Sequence, residues 1–209
     1  MIGQHLLELM LNDTCFDRVR VIVRRPFTRQ HPKLEIKLVD FKDPESFRLA
    51  LEDVDLIFSA IGTTQKNVRG DEKRYREVDF DIPVNAARFG KETGVQRFVL
   101  VSSVGADNHS RNFYLRLKGE VEKAVTEQGI PSVHILQPSQ LLGKRKEFRL
   151  GERIIMPVMK FVSLFLTGRA KKFSAIQGAE VAKAMITASK TTKTGVFRYT
   201  YAEIKSLAS

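Results

Sequence analysis

Short apolar runs alternate with stretches of helical periodicity along most of the chain. VRVIV at residues 19–23, LEIKLVD at 34–40, DLIFSAIG at 55–62, RFVLVSS at 97–103 and SVHILQP at 132–138 are rich in β-branched residues and largely apolar on both faces. Such runs read as strands of a buried parallel sheet rather than as one-sided amphipathic strands. Helical patterns separate them: DPESFRLALE at 43–52, a long stretch at 71–94, NFYLRLKGEVEKAVTEQG at 112–129 and GAEVAKAMITASK at 178–190. Gly94 and Gly129 stand just past helical runs, where a left-handed cap is wanted. Strand–helix alternation of this kind predicts one doubly wound α/β domain spanning residues 1–209. Residues 144–177 break the alternation and are expected to form a segment covering the substrate side.

The first residues, MIGQHLLELML, are themselves helical, with Ile2, Leu6, Leu9 and Met10 at near-helical intervals. A doubly wound domain ordinarily opens on a strand, so the pattern reads as though its first element were absent.

Composition narrows the picture modestly. The chain has 209 residues, of which 43% are apolar and 28% charged, as expected for a single-core globular protein. One cysteine, Cys15, excludes an internal disulfide and leads to the expectation of a reducing, cytoplasmic setting. The net charge of +11 is spread along the sequence without a recognisable nucleic-acid-reading module, so it reads as a solvated basic surface. The apolar stretch at 154–168 is interrupted by Pro157 and Lys160 and is shorter than the ~20 residues a bilayer requires, so no membrane span is expected. Core packing is the first reading of MPVMKFVSLFL at 156–166, with an apolar substrate cover, a homodimer contact or a dip into a membrane interface as alternatives. His5, His31, His109 and His134 have no metal-site spacing. His134, inside a strand pattern, reads as a hydrogen-bonded core histidine.

Candidate chemistry concentrates after the RFVLVSS run. Tyr114 and Lys118 are four residues apart on a helical pattern, so the phenol and the ammonium share a face. A neighbouring cation favours the phenolate and makes tyrosine a better proton donor to a carbonyl. Ser102 and Ser103 end the preceding strand at its carboxyl edge, where open α/β sheets place their ligands. Arg24 and Arg25 follow VRVIV, at the place where an NAD-specific sheet carries an acidic residue, and paired guanidiniums suit the 2′-phosphate of NADP.

FVLVSSVGAD followed by NFYLRLKGEVEKAV resembles the short-chain dehydrogenase/reductases, specifically the atypical branch that includes the Tat-interacting-protein oxidoreductases. The resemblance implies a mostly parallel Rossmann sheet and a catalytic set of Ser103 (Ser102 in the alternative register), Tyr114 and Lys118, with Lys118 also binding the nicotinamide ribose. It further implies cofactor contacts from Asp40, from Ala60, Ile61 and Gly62 in SAIGTT, from Ser102, and from Pro138 in QPSQLLG, where Gln137 and Ser139 replace the family's Arg and Gly. Gly3 matches the third glycine of the family's phosphate turn, the one that allows a helix to pack closely on a strand. The implied activity is NADP-dependent hydride transfer between nicotinamide and a carbonyl or alcohol. The alternative is a non-catalytic NADP-sensing module that binds a protein partner.

Within this family the element preceding Gly3 is the first strand, at the middle of the sheet. An open sheet centre leaves two rows of backbone groups without ladder partners, each costing about 1–3 kcal/mol when buried. The sequence therefore carries the expectation that a strand outside these residues, or one donated by another chain, completes the sheet.

Overall fold

The apolar runs become strands and the periodic stretches become helices in the positions the pattern assigns. The computed structural model describes residues 2–139, 141–142 and 174–209. In chain order these are α1 (Ile2–Asn12), β1 (Val19–Val23), β2 (Leu34–Leu38), α2 (Pro44–Leu49), β3 (Leu56–Ser59), α3 (Gln65–Val68) and α4 (Glu72–Arg76). A π-helical turn over Glu77–Asp81 leads into α5 (Ile82–Glu92), β4 (Arg97–Val101), α6 (Phe113–Glu127) and β5 (Ser132–Leu136). Last come β6 (Leu141–Leu142), β7 (Ile176–Gln177), α7 (Gly178–Ser189), β8 (Gly195–Tyr199) and α8 (Tyr201–Ala208). The expected cover segment lies outside the described residues up to position 173.

Every strand pairing among the described residues is parallel. β3, β4, β5 and β8 form a four-stranded sheet in that order, while β1 and β2 form a separate pair. Val19 aligns with Leu34, and Leu56 aligns with Arg97, so each ladder has a single unshifted register. β5, paired on both sides, is buried along its whole length. β1 has a partner on one side, and four of its five residues stay half-exposed although its sequence is equally strand-like.

The helices cover both faces of the sheet. One face packs Phe47, Phe89, Phe98, Val121, Val125 and Ile135. The other packs α1 and α7 through Ile2, Leu6, Val181 and Met185. Helix starts follow ordinary capping: Asp43, Asp71 and Asn112 accept backbone N–H bonds from the first turns of α2, α4 and α6. Gly94 and Gly129 adopt φ of +89° and +73°, the left-handed conformation their positions demanded.

His134 is fully buried, with Nε2 3.0 Å from the Ser132 hydroxyl and Nδ1 2.9 Å from the Tyr199 hydroxyl, and its ring stacks on those of Phe197 and Tyr199 from β8. Burial, reinforced by the Arg97 charge, pushes its imidazole down to about 4, so it is neutral at physiological pH. It is the satisfied core histidine the strand pattern implied.

Candidate active site

The candidate site gathers at the carboxyl edge of β3 and β4, where the loop after β4 folds back onto the first turns of α6. That return is possible because residue 119 is glycine: a Cβ there would sit 2.2 Å from the Asn108 amide nitrogen and 2.3 Å from the Asp107 carbonyl carbon. The Asp107 amide donates to the Leu115 carbonyl at 3.1 Å, fixing the loop to the helix. Asn112 caps α6, and Tyr114 follows in its first turn, half-buried against the cluster of Val68, Tyr75 and Leu117.

Lys118 stands one turn further on. Its Nζ lies 5.8 Å from the centre of the Tyr114 ring, so the shared face implied by the spacing is realised. Lys118 is buried, and its ammonium donates to Asp79 Oδ1 at 3.0 Å. Asp79 is 2% exposed; its other oxygen accepts the Thr63 backbone N–H at 2.7 Å. One carboxylate thus ties α6 to the loop after β3, beside Gly62, where an added Cβ would come within 3.3 Å of Asp79 Oδ1.

Asp79 was missed by sequence reasoning. It lies inside a stretch that reads as one continuous helix, and only the π-turn at Glu77–Asp81 directs it inward. Such turns cluster at functional sites, but the acidic and apolar mixture EVDFD carries no distinct signal of one.

The two serines separate cleanly. Ser102 is buried and its hydroxyl donates to Glu122 Oε1 on α6. Gln137 Nε2 donates to both Glu122 oxygens at 2.8 and 3.1 Å, and Arg198 Nε approaches at 3.4 Å. The side chain of Ser102, the alternative register, is thus held in a buried network with Glu122, Gln137 and Arg198. Ser103 is half-buried at the edge, its hydroxyl 3.4 Å from the Val104 carbonyl. The same network shows what Gln137 does where the family pattern has arginine: its amide turns to Glu122.

Other expected cofactor contacts fall as follows. Arg24 and Arg25 are exposed at the carboxyl end of β1. Ala60, Ile61 and Gly62 form the open loop after β3, and Pro138 is buried with its carbonyl accepting the Val104 N–H at 3.0 Å. Asp40 is exposed, and its Oδ1 accepts the Lys42 amide at 2.9 Å in a local turn leading to α2. Gly3 departs from expectation. It lies within α1, and a Cβ there would meet nothing within 4 Å among the described residues.

The residues present fit an anionic dinucleotide. α1 carries no acidic side chain in its first turn, leaving a helix N-terminus suited to phosphate, and the exposed Arg24 and Arg25 guanidiniums can pair with an additional one. Among the described residues no cluster of three His, Cys, Asp or Glu side chains could hold a metal ion, and no helix is long and apolar enough to cross a membrane.

Residues 1–155 match the family described as NAD(P)H-binding. The chain is 33% identical over 189 residues to "Protein FMP52, mitochondrial" of Debaryomyces hansenii, covering 89% of this chain and 82% of that protein. It is 33% identical over 153 residues to "Protein HTATIP2" of Rattus norvegicus, covering 72% of this chain and 62% of that one. Among solved structures, MoeE5 in complex with UDP-glucuronic acid and NAD superposes with a TM-score of 0.71 at 16% identity, covering 94% of this chain and 71% of that one. The UDP-glucose 4-epimerase of Thermus thermophilus in complex with NAD gives 0.68 at 16% identity, covering 100% and 78%. The structural likenesses establish the doubly wound fold. The cytoplasmic expectation is overturned, since the fungal relatives are named mitochondrial proteins. A lone cysteine reports on redox conditions and not on an address.

Proposed function

Because the chain belongs to the NAD(P)H-binding family, within the atypical short-chain dehydrogenase/reductases, we propose that it is an NADP-dependent oxidoreductase acting on a carbonyl or alcohol substrate. The observation that carries this reading is the placement of Tyr114 in the first turn of α6, with Lys118 beneath its ring and Ser103 at the end of β4. When bound, the nicotinamide supplies or accepts the hydride at its C4. Tyr114 donates the proton to the carbonyl oxygen during reduction and takes it back during oxidation. Ser103 hydrogen-bonds that oxygen, because its neighbour's hydroxyl is committed to Glu122. Lys118 places positive charge under the phenol, and Asp79 holds it there. Arg24 and Arg25 favour the cofactor bearing a 2′-phosphate. The names of the fungal relatives support a mitochondrial place of action.

A second reading, NADP sensing without turnover, is favoured by one observation: the Lys118 ammonium is already engaged by a buried carboxylate. One experiment separates the two. The purified protein is offered NADPH with a panel of aldehydes and ketones, and Tyr114→Phe is compared with the parent. Loss of about 10²-fold or more in turnover is expected, as for removal of a general acid, with NADPH affinity unchanged and NADH bound more weakly. Unaltered turnover in Tyr114→Phe refutes the proton-donor role. NADPH binding without oxidation of NADPH by any substrate supports the sensing module.

A further inference from the structure

β2 (Leu34–Leu38) has an outer edge: among the described residues it is bonded only to β1. The Val19 amide donates to the Lys33 carbonyl and the Val39 amide to the Val23 carbonyl, so the odd-numbered residues of this segment bond toward β1. Backbone groups alternate sides along a strand, which turns those of Leu34, Ile36 and Leu38 outward. The Leu34 amide is taken by the His31 carbonyl at 2.9 Å, while the Leu34 carbonyl and both groups of Ile36 and Leu38 point away from the sheet. LEIKL holds no proline and its register against β1 is unshifted, so neither a missing donor nor a bulge blunts this edge. Leu38 is 63% exposed.

The sequence of this edge is complementary to itself. Two identical strands that pair antiparallel are related by a two-fold axis, and outward residues must meet outward residues for ladder bonds to form. With most of the strand overlapping, that axis passes through residue 35, 36 or 37. An axis at 35 sets the two Glu35 carboxylates directly opposite each other, and an axis at 37 does the same to the two Lys37 ammoniums. An axis at Ile36 sets Glu35 of each copy opposite Lys37 of the other, and Leu34 opposite Leu38. Opposite charges facing across an antiparallel ladder stabilise it and like charges destabilise it. Charge therefore selects the register centred on Ile36.

We propose that two copies of this chain join edge to edge through β2, antiparallel about a two-fold axis at Ile36. Ile36 exchanges both backbone groups with Ile36 of the second copy, and each Leu38 amide donates to the Leu34 carbonyl across the axis. On one face of the joined strands the exposed Leu38 side chain is covered by Leu34 of the second copy. On the other face Lys37 meets Glu35 of the second copy. Within one chain Glu35 already holds Arg20 Nε at 2.7 Å and Lys37 Nζ at 2.8 Å, so that carboxylate is ordered before the copies meet. Five residues from each copy make a small interface, so the dimer is reversible, with a dissociation constant of roughly 1–100 μM. Pairing consumes the β2 edge of both copies, so association through it stops at two.

Sedimentation of the full chain between about 1 μM and 1 mM reads the association. The mass should rise from that of one chain, 23.8 kDa, toward twice that value and no further. Over the same range hydrogen exchange at the outward amides of Ile36 and Leu38 should slow by about tenfold or more, while the Glu35 and Lys37 amides, already bonded toward β1, stay as they are. Ile36→Pro removes the central outward donor and no bond to β1, so it should remain monomeric at 1 mM with an unchanged circular dichroism spectrum. A pair of charge variants supplies a test that does not depend on proline. Lys37→Glu alone and Glu35→Lys alone should each be monomeric, and an equimolar mixture should recover the dimer, because every facing pair is then opposite in sign. Arg20 keeps the carbonyls of Ala50 and Glu52 as partners when Glu35 is replaced. A parent that stays monomeric at 1 mM overturns the proposal. So does a dimer that persists in Ile36→Pro or in either single charge variant, or a mixture of the two folded charge variants that stays monomeric. None of these readouts involves turnover, so their result is independent of the proposed reaction.

Discussion

Replacing Asp79 with asparagine isolates the charge that positions Lys118. Asparagine keeps an oxygen for the Thr63 amide at 2.7 Å but withdraws the negative charge 3.0 Å from the Lys118 ammonium. The side chains of the pair are 8% and 2% exposed, so the ammonium left behind is not rescued by water. Breaking a buried ion pair from one side costs about 3–5 kcal/mol; the retained amide oxygen places Asp79→Asn near the lower end, at about 3. That is a large share of a typical domain stability of about 5–15 kcal/mol. Lys118→Met should cost a similar amount by stranding the carboxylate. The double variant removes both charges, so its loss should fall short of the summed single losses by at least about 2 kcal/mol. Urea unfolding of the four proteins, followed by circular dichroism, measures the cycle. Additivity within about 0.5 kcal/mol, together with a loss below about 1 kcal/mol for Asp79→Asn, would refute the pairing as the element that holds Lys118 in place.

Two further outcomes follow from the packing. His134 is held neutral in the fold with its imidazole near 4 against an unfolded value of 6.5, so the unfolded chain takes up a proton first as pH falls. Its contribution is present above about 6.5 and is lost as pH drops toward 4; between pH 7 and 4.5 that amounts to about 2 kcal/mol, and urea titrations of His134→Gln should show a pH dependence smaller by that amount. Gly119→Ala forces the Asp107–Asn108 backbone off α6, so it should cost about 1–3 kcal/mol in melting experiments and depress turnover by moving Ser103 relative to Tyr114.

The fold was legible where burial is two-sided. β4 and β5 announce themselves because central parallel strands must be apolar on both faces, and the helices around them keep a 3.6-residue stripe. β8 and α8 escaped notice because β8 lies at the sheet's edge, half-exposed or exposed throughout, and its short run GVFRY carries little apolar signal. The shared face of Tyr114 and Lys118 was legible because helical spacing alone sets it. Asp79 was not, since its direction depends on a local change of helical pitch that no side chain in EVDFD advertises. Ser102 and Ser103 could be told apart only through Glu122, a residue 20 positions away in sequence.

The π-turn has a consequence for how this region tolerates change. Because Glu77–Asp81 winds more widely than the helices on either side, the aim of the carboxylate is set by residue count as much as by residue type. Removing one residue between α4 and α5 would return the segment to uniform winding, leaving the flanking helices nearly in phase but withdrawing the wide turn that aims Asp79 at Lys118. Point substitutions around the ion pair therefore weaken it by degrees, whereas a single-codon deletion here would disconnect it outright while leaving both charged side chains in the chain.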